Sequence, residues 1–333
     1  MQSKKIRLKD VAEHLNVSVT TVARALNRSP LTSKEMTERV EAAAAKLGYV
    51  RSLDGVRLRT GKSFVVAALL KFPANSDVGD PTLPDLLQGL HSRCSGSDYS
   101  VTAIVSTSIE QDISELKKLI HLKSADAVVL DYTSPQDPRV KLLLEADFPF
   151  VTYGQTELFS PHAFVDIDNE HAAWQGANAL ISAGYKNIAL LDGEDHLTYV
   201  KQRVLGYKRA LKEANIAFDT DLVSHFEPDA QTARKRAEDL CKQGKADAML
   251  CVNEMVLIGA QAGVRDYDRA LLEKIGFAVR GGSHLAQYLD QSPFISYYSR
   301  LDTGWHLGDL ALRLIQGEDI DDLQRLEQTQ LKQ

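Results

Sequence analysis

A chain of 333 residues that is 44% hydrophobic and 25% charged has the composition of a soluble globular protein and room for two or three domains. It holds no run of eighteen apolar residues, which excludes a helical membrane span, and its three cysteines, Cys94, Cys241 and Cys251, are too scattered for a disulfide framework or a zinc site. The net charge of −6 conceals an asymmetry: residues 1–62 carry thirteen Lys and Arg against six Asp and Glu, a balance of +7, and the remainder carries 26 against 39, a balance of −13. A basic head on an acidic body is the electrostatic footprint of a nucleic-acid binder.

The basic start, residues 1–7, has no apolar segment behind it, so no secretory signal is read and a reducing cytoplasm is expected. Leu8, Val11, Ala12 and Leu15 then recur at helical spacing and form one apolar stripe. Asn16-Val17-Ser18 leaves room only for a tight turn, with Ser18 placed to cap the next helix. In that helix, over 19–27, Val22, Ala25 and Leu26 face inward. Val19, Thr20 and Arg24 face outward near its start. Two short helices joined in this way form a helix-turn-helix, whose second helix meets base edges in the major groove. Thr32-Ser33-Lys34-Glu35 reads as a capping box opening a third helix that runs through Leu47 and closes at Gly48.

A polar, basic junction over 51–63 follows. Beyond it the pattern changes to short apolar runs at 64–70, 99–105, 127–130, 148–153, 188–191, 248–252 and 275–279. Amphipathic stretches lie between and after them, around 83–95, 110–123, 137–146, 169–183, 200–214, 229–243, 254–266 and 303–317. This alternation predicts βαβ units and parallel sheets. The runs are apolar throughout rather than alternating, as strands are when helices cover both faces of a sheet. The segment is too long for one sheet, so two lobes are expected, with a ligand at the carboxyl ends of their strands.

The residues resemble the LacI/GalR (lac-repressor) family. Asp10-Val11-Ala12, Val17-Ser18, Thr21-Val22, Arg24-Ala25-Leu26-Asn27, Val40-Glu41-Ala42-Ala43 and Leu47-Gly48-Tyr49 look like its headpiece. Leu58-Arg59-Thr60-Gly61-Lys62-Ser63 looks like its junction. Residues 165–170, 184–191 and 202–207 look like its core. The resemblance implies a small all-α helix-turn-helix headpiece plus an α/β two-lobed core like the periplasmic binding proteins, with parallel sheets. The domains would be 1–50 for the headpiece, 51–62 for a hinge and 63–333 for the core. Lobe one would take about 63–166 with 302–325, and lobe two about 167–301 with 326–333. The implied function is a sequence-specific transcriptional regulator, a repressor. As a homodimer it would bind a palindromic operator in double-stranded DNA, under allosteric control by a small effector, a sugar or sugar derivative.

Carried over residue by residue, the resemblance makes Val19, Thr20 and Arg24 base readers and Ser18, Thr21, Asn27 and Arg28 phosphate positioners. It makes Leu58 a minor-groove wedge on a short hinge helix. Arg51-Ser52-Leu53-Asp54-Gly55 departs from the family pattern: Gly55 weakens the expected hinge helix and Asp54 brings a negative charge near the phosphates, which Arg51, Arg57 and Arg59 would offset through the DNA backbone. The effector-binding set is Lys71, Phe72, Asp80, Asp131, Tyr153, Arg203, Phe226, Asn253 and Asp302. Bidentate polar groups beside aromatic faces suit a neutral polyol. Many relatives read Gly-Phe-Asp-Asp where this chain reads Gly276-Phe277-Ala278-Val279-Arg280; an acceptor is replaced by a cation, which leaves an anionic sugar derivative open. No catalytic residue, cofactor or metal is assigned. Two other readings remain: a soluble sugar-binding receptor, which the basic headpiece argues against, and a sugar-acting enzyme. Against the enzyme, the nine histidines are scattered, no nucleophile or metal motif appears, and Asp166, Asp168 and Asp192 read as loop carboxylates.

Overall fold

The computed structural model describes residues 6–26, 29–49, 54–71, 82–282 and 285–332. It divides the chain into two compact units, Met1–Lys62 and Ser63–Gln333.

In the first unit, α1 (Leu8–Leu15), α2 (Val19–Leu26) and α3 (Lys34–Leu47) enclose a small core of Val11, Ala12, Val22, Ala25, Val40, Ala43 and Ala44. Leu8, Leu15, Leu26 and Leu47 pack on it, half-buried. The turn after α1 is made by Asn16 in the left-handed region, φ 52°, where its N–H donates to the Ala12 and Glu13 carbonyls. Ser18 caps α2: the Thr21 N–H donates to its Oγ at 3.0 Å. The start of α3 differs from the capping box expected over 32–35. Ser33 is the cap, accepting from the Met36 N–H at 3.3 Å, so Met36 and not Glu35 stands three residues in. Thr32 is spent in the preceding turn, where its N–H donates to the Ser29 carbonyl. Gly48, φ 68°, closes α3 as expected. A fourth helix, α4 (Asp54–Thr60), covers the junction and ends where the Gly61 N–H donates to the Arg57 carbonyl.

The second unit holds two six-stranded sheets. The first comprises β1 (Val65–Lys71), β2 (Ser100–Ser106), β3 (Ala127–Leu130), β4 (Phe150–Tyr153), β5 (Ala163–Ile167) and β11 (Gln324–Glu327), all parallel, in the order β11-β5-β4-β3-β1-β2. The second comprises β6 (Ile188–Asp192), β7 (Val223–His225), β8 (Ala248–Cys251), β9 (Gly276–Gly281), β10 (Phe294–Tyr297) and β12 (Gln330–Lys332). Its order is β12-β10-β9-β8-β6-β7, and only β12 is antiparallel. The first sheet packs with α5 (Leu83–Ser95), α6 (Ile109–Leu122), α7 (Pro138–Glu145) and α13 (Arg300–Ile315). The second packs with α8 (Asn169–Ser182), α9 (Thr198–Glu213), α10 (Ala230–Gln243) and α11 (Glu254–Tyr267), the last followed by a short α12 (Arg269–Leu272). Each sheet is covered by a buried apolar cluster on each face, which is why β3 and β8 are buried along their whole length.

The chain passes between the sheets three times, after β5, after β10 and after β11. The last passage falls between Glu327 and Gln330, two residues beyond the lobe boundary expected at 325. Helices α5 and α13 touch backbone to backbone: a Cβ on Gly89 would collide with the Leu301 carbonyl, and one on Gly304 with that of Leu86. That contact fixes the start of α13 beside the first sheet. Five strands carried no apolar run in the sequence. β5 is interrupted by Asp166, β10 by Ser296, which is buried because its hydroxyl donates to the Ala172 carbonyl, and β7, β11 and β12 are short.

Candidate functional site

Two surfaces carry the chemistry, one in each unit. On the first, Ser18, Val19 and Thr20 are exposed at the start of α2, with Val19 at 46%, and Arg24 is exposed in its last turn rather than near its start. The Ser18 hydroxyl also meets that of Thr21 at 2.8 Å, so one cap holds two hydroxyls at the helix entrance. Asn27 and Arg28 lie outside the described residues. On α4, Leu58 is 91% exposed and is flanked by exposed Arg57 and Arg59. An apolar side chain held in water between two guanidiniums has the chemistry of a wedge with phosphate contacts beside it.

The second surface is a cavity of about 150 Å³ at the carboxyl ends of the strands of both sheets. Asp131 follows β3, Tyr153 ends β4, Asn253 follows β8 and Arg203 comes from α9; all four line it. Arg203 is 3% exposed and is gripped by the fully buried Asp192, with Nε to Oδ2 at 2.9 Å and Nη2 to Oδ1 at 2.6 Å. Its Nη1 donates to Asn169 Oδ1 at 3.2 Å, and its plane stands 5.0 Å from the Tyr199 ring centre. Asn253 caps α11 by accepting from the Val256 N–H at 2.9 Å, so its Oδ1 is engaged and its amide nitrogen is the donor left for a ligand. Asp166 is buried and accepts from the Gln155 N–H and side-chain amide, the Ile167 N–H and the Asn169 amide. Burial holds its carboxyl above the ordinary range against those hydrogen bonds.

The remaining wall is aromatic and cationic. Arg280, near the end of β9, stands 4.7 Å from the Tyr298 ring; Arg300, opening α13, stands 4.9 Å from Tyr153 and 5.7 Å from Tyr298. Arg300 Nε donates to Thr82 Oγ1 at 2.8 Å. Among the described residues the buried Tyr153 hydroxyl has no partner, and burial keeps its phenol protonated far above the ordinary range.

The five other expected effector residues stand elsewhere, outside the description or at its edge. Phe226 packs against the apolar cluster of the second sheet, because its own N–H is tied to the Asp192 carbonyl and only the following residues, Glu227 to Asp229, turn into the cavity wall. Asp302 is exposed in the first turn of α13, its N–H capped by Ser299; the cavity residue there is Arg300, two positions earlier. Phe72 and Asp80 lie outside the described residues, and Lys71 is placed as the last residue of β1. The sequence reading did not include Tyr132, Tyr199, Glu254, Tyr298 or Arg300, all of which line the cavity. Arg280 was noted as a departure and proves to be part of the wall.

Residues 72–293 match the family described as periplasmic binding proteins and sugar binding domain of LacI family, and residues 7–52 match the bacterial regulatory proteins of the lacI family. The chain belongs to the LacI family. It is 31% identical to the HTH-type transcriptional regulator AglR of Rhizobium meliloti (strain 1021) over 269 residues, 80% of this chain and 75% of that one. It is 32% identical to the HTH-type transcriptional regulator RafR of Escherichia coli over 207 residues, 62% of this chain and 61% of that one. Its fold is that of the transcriptional regulator CelR–cellobiose complex (TM-score 0.75, 23% identity, 98% of each chain). It is also that of the lac repressor dimer bound to operator and the anti-inducer ONPF (TM-score 0.77, 19% identity, 99% of this chain and 98% of that one). As a LacI-family member it is a DNA-binding transcriptional regulator, and its helix-turn-helix is the DNA-reading unit.

Proposed function

We propose that this regulator is a cytoplasmic, non-catalytic repressor that binds a palindromic operator as a homodimer and takes a neutral saccharide in the cleft. Val19, Thr20 and Arg24 read bases, Ser18 and Thr21 position phosphates, and Leu58 wedges the minor groove. Asp131, Tyr153, Arg203 and Asn253 hold the effector. The observation that carries the ligand class is the charge of the wall. Among the described residues it holds Asp131, Asp166, Glu194, Glu227, Asp229 and Glu254 against Arg203, Arg280 and Arg300, and Arg203 is already neutralised by Asp192. A surplus of acid repels an anion, while hydroxyl groups bind acceptors and donors alike. Tyrosine faces suit the C–H side of a pyranose. The CelR–cellobiose complex, on the same fold, supports the reading.

A second reading, an anionic sugar, rests on Arg280, whose buried Nε has no partner among the described residues. Thermal shift of the full chain separates the two. Cellobiose, maltose or raffinose raising the melting point, with glucose 6-phosphate and gluconate inert, supports the neutral class; the reverse pattern overturns it. A selected inverted-repeat DNA whose affinity changes with the active sugar tests the regulator as a whole. No salt-sensitive preference for any such DNA would sink the reading.

A further inference from the structure

We propose that Tyr132 and Tyr199 form an aromatic latch between the two lobes, and that Arg139 is the positioning residue that holds Tyr132 in it. The latch would regulate closure of the cleft, and so this inference rests on the effector reading of that cleft. Tyr132 follows β3 of the first sheet, and Tyr199 lies in the first turn of α9 beside the second. Their ring centres are 6.4 Å apart with planes at 78°, an edge-to-face contact within attractive range. Both rings line the cavity.

Each ring is fixed from behind by a buried ion network. Tyr132 sits at φ 52°, a left-handed conformation that a bulky residue keeps only when its surroundings impose it. Arg139, 2% exposed on α7, imposes it: Nη2 donates to the carbonyls of Asp131 at 2.8 Å and Tyr132 at 3.0 Å. The rest of its guanidinium is held by Asp137, at 3.0 Å from Nε and 2.8 Å from Nη2, and by Asp112, at 2.8 Å from Nη1. Arg139 itself does not line the cavity. On the other lobe Tyr199 is backed by Arg203, locked on Asp192.

A turn alone does not account for this arrangement. Glycine would take φ 52° without strain, so a tyrosine there is explained by what its ring touches. The ring touches the other lobe. A second contact across the cleft, Lys201 to Glu157 at 3.7 Å, is exposed on both sides and holds little by comparison.

The test uses the full chain with spin labels on Glu145→Cys and Lys212→Cys, exposed positions on opposite lobes; the three native cysteines are buried. Tyr132→Gly removes the ring and relieves the backbone, so it folds. Tyr199→Leu removes the other ring. Each is expected to shift the label-to-label distance toward longer values, with the double variant no further than either single one. Tyr199→Phe, which keeps the ring, is expected to leave the distance unchanged. Arg139→Lys, which keeps a charge but not the two-carbonyl grip, is expected to resemble Tyr132→Gly. Distances unchanged in both ring-deleting variants, or shifts that add in the double variant, overturn the latch. Failure of cellobiose, maltose and raffinose to bind overturns the effector reading alone, because the distances are measured without ligand.

Discussion

Arg203 spends Nε and Nη2 on Asp192 and Nη1 on Asn169, so removing it does two things at once. Arg203→Ala deletes a cleft donor and also leaves the fully buried Asp192 as an uncompensated charge. A loss of about 3–5 kcal/mol in unfolding free energy is expected alongside lost effector response, and urea titration measures it. An unfolding curve superimposable on the parent would mean that Asp192 finds another partner. Tyr153→Phe separates binding from folding. The ring and its contact with Arg300 survive, and the only atom lost is a buried hydroxyl without a partner among the described residues. Stability should stay level or rise slightly, because an unsatisfied buried group costs about 1–3 kcal/mol. Effector affinity should fall about tenfold if that hydroxyl donates to the ligand, the factor that corresponds to roughly 1.4 kcal/mol. Calorimetry on the two proteins reads it; equal affinities would assign the hydroxyl no ligand contact.

At the scale of elements, α4 gives the clearest prediction. Gly55 sits inside this helix, and a Cβ there would meet nothing within 4 Å. Gly55→Ala should therefore stabilise the helix by about 1 kcal/mol and tighten operator binding to a similar degree, measured by DNA titration. Gly61, at φ 70°, is the control: alanine there is strained and should not help. The first lobe has a definite acid sensitivity. Burial holds the His162 imidazole below its ordinary value of 6.5, so the unfolded chain binds the extra proton first and stability falls as pH drops through about 6.5. Burial also pushes the Asp137 carboxyl up, but the hydrogen bonds and charge of Arg139 outweigh it and hold it below 3.8. Its contribution is full above that value and is lost at lower pH. Asp166 has the opposite sign: its carboxyl is raised, so the stability it adds when neutral disappears as pH climbs through that raised value. His162→Gln should flatten the pH dependence of the urea midpoint just below 6.5 and leave the deeper acid loss in place; an unaltered curve would show that His162 is not the group responsible. The same elements show what a sequence reveals. Helix α8 was expected over 169–183 and runs Asn169–Ser182, because an amphipathic stretch of that length encodes its own burial. The strands β7, β11 and β12 were invisible, being three or four residues long and defined only by their partners, and β11 and β12 are largely exposed as well. Asp131, Tyr153 and Asn253 stand at strand ends and Arg203 in a motif within α9, where a chain-order reading can find them. Tyr132 and Tyr199 gain meaning only from facing one another across two sheets, which no local pattern records.

Over the whole molecule, charge is divided as the two tasks require. The +7 of residues 1–62 draws that unit to phosphates, while the −13 of the remainder keeps the larger body from lying along the duplex. Operator affinity should therefore fall linearly in log–log terms with salt, at a slope set by the number of neutralised phosphates, about 0.9 per contact. Arg57 and Arg59 are exposed beside Leu58, and the pair Arg57→Gln and Arg59→Gln should reduce the slope by about two per protomer while leaving sequence preference intact. Arg24→Ala should do the reverse: it should cost about 1–3 kcal/mol at the cognate site and relax preference there, with little change in slope. Tyr153→Phe, in the other unit, should move neither slope nor preference in the absence of effector. With effector, any change in operator affinity must equal the change that operator causes in effector affinity, normally about 1–3 kcal/mol, because the two bindings are linked through one protein. Titrating each ligand at saturating concentrations of the other measures both sides of that equality. If operator affinity proved indifferent to a sugar that binds the cleft tightly, the cleft and the headpiece would be uncoupled, and the control of transcription would have to enter by another route.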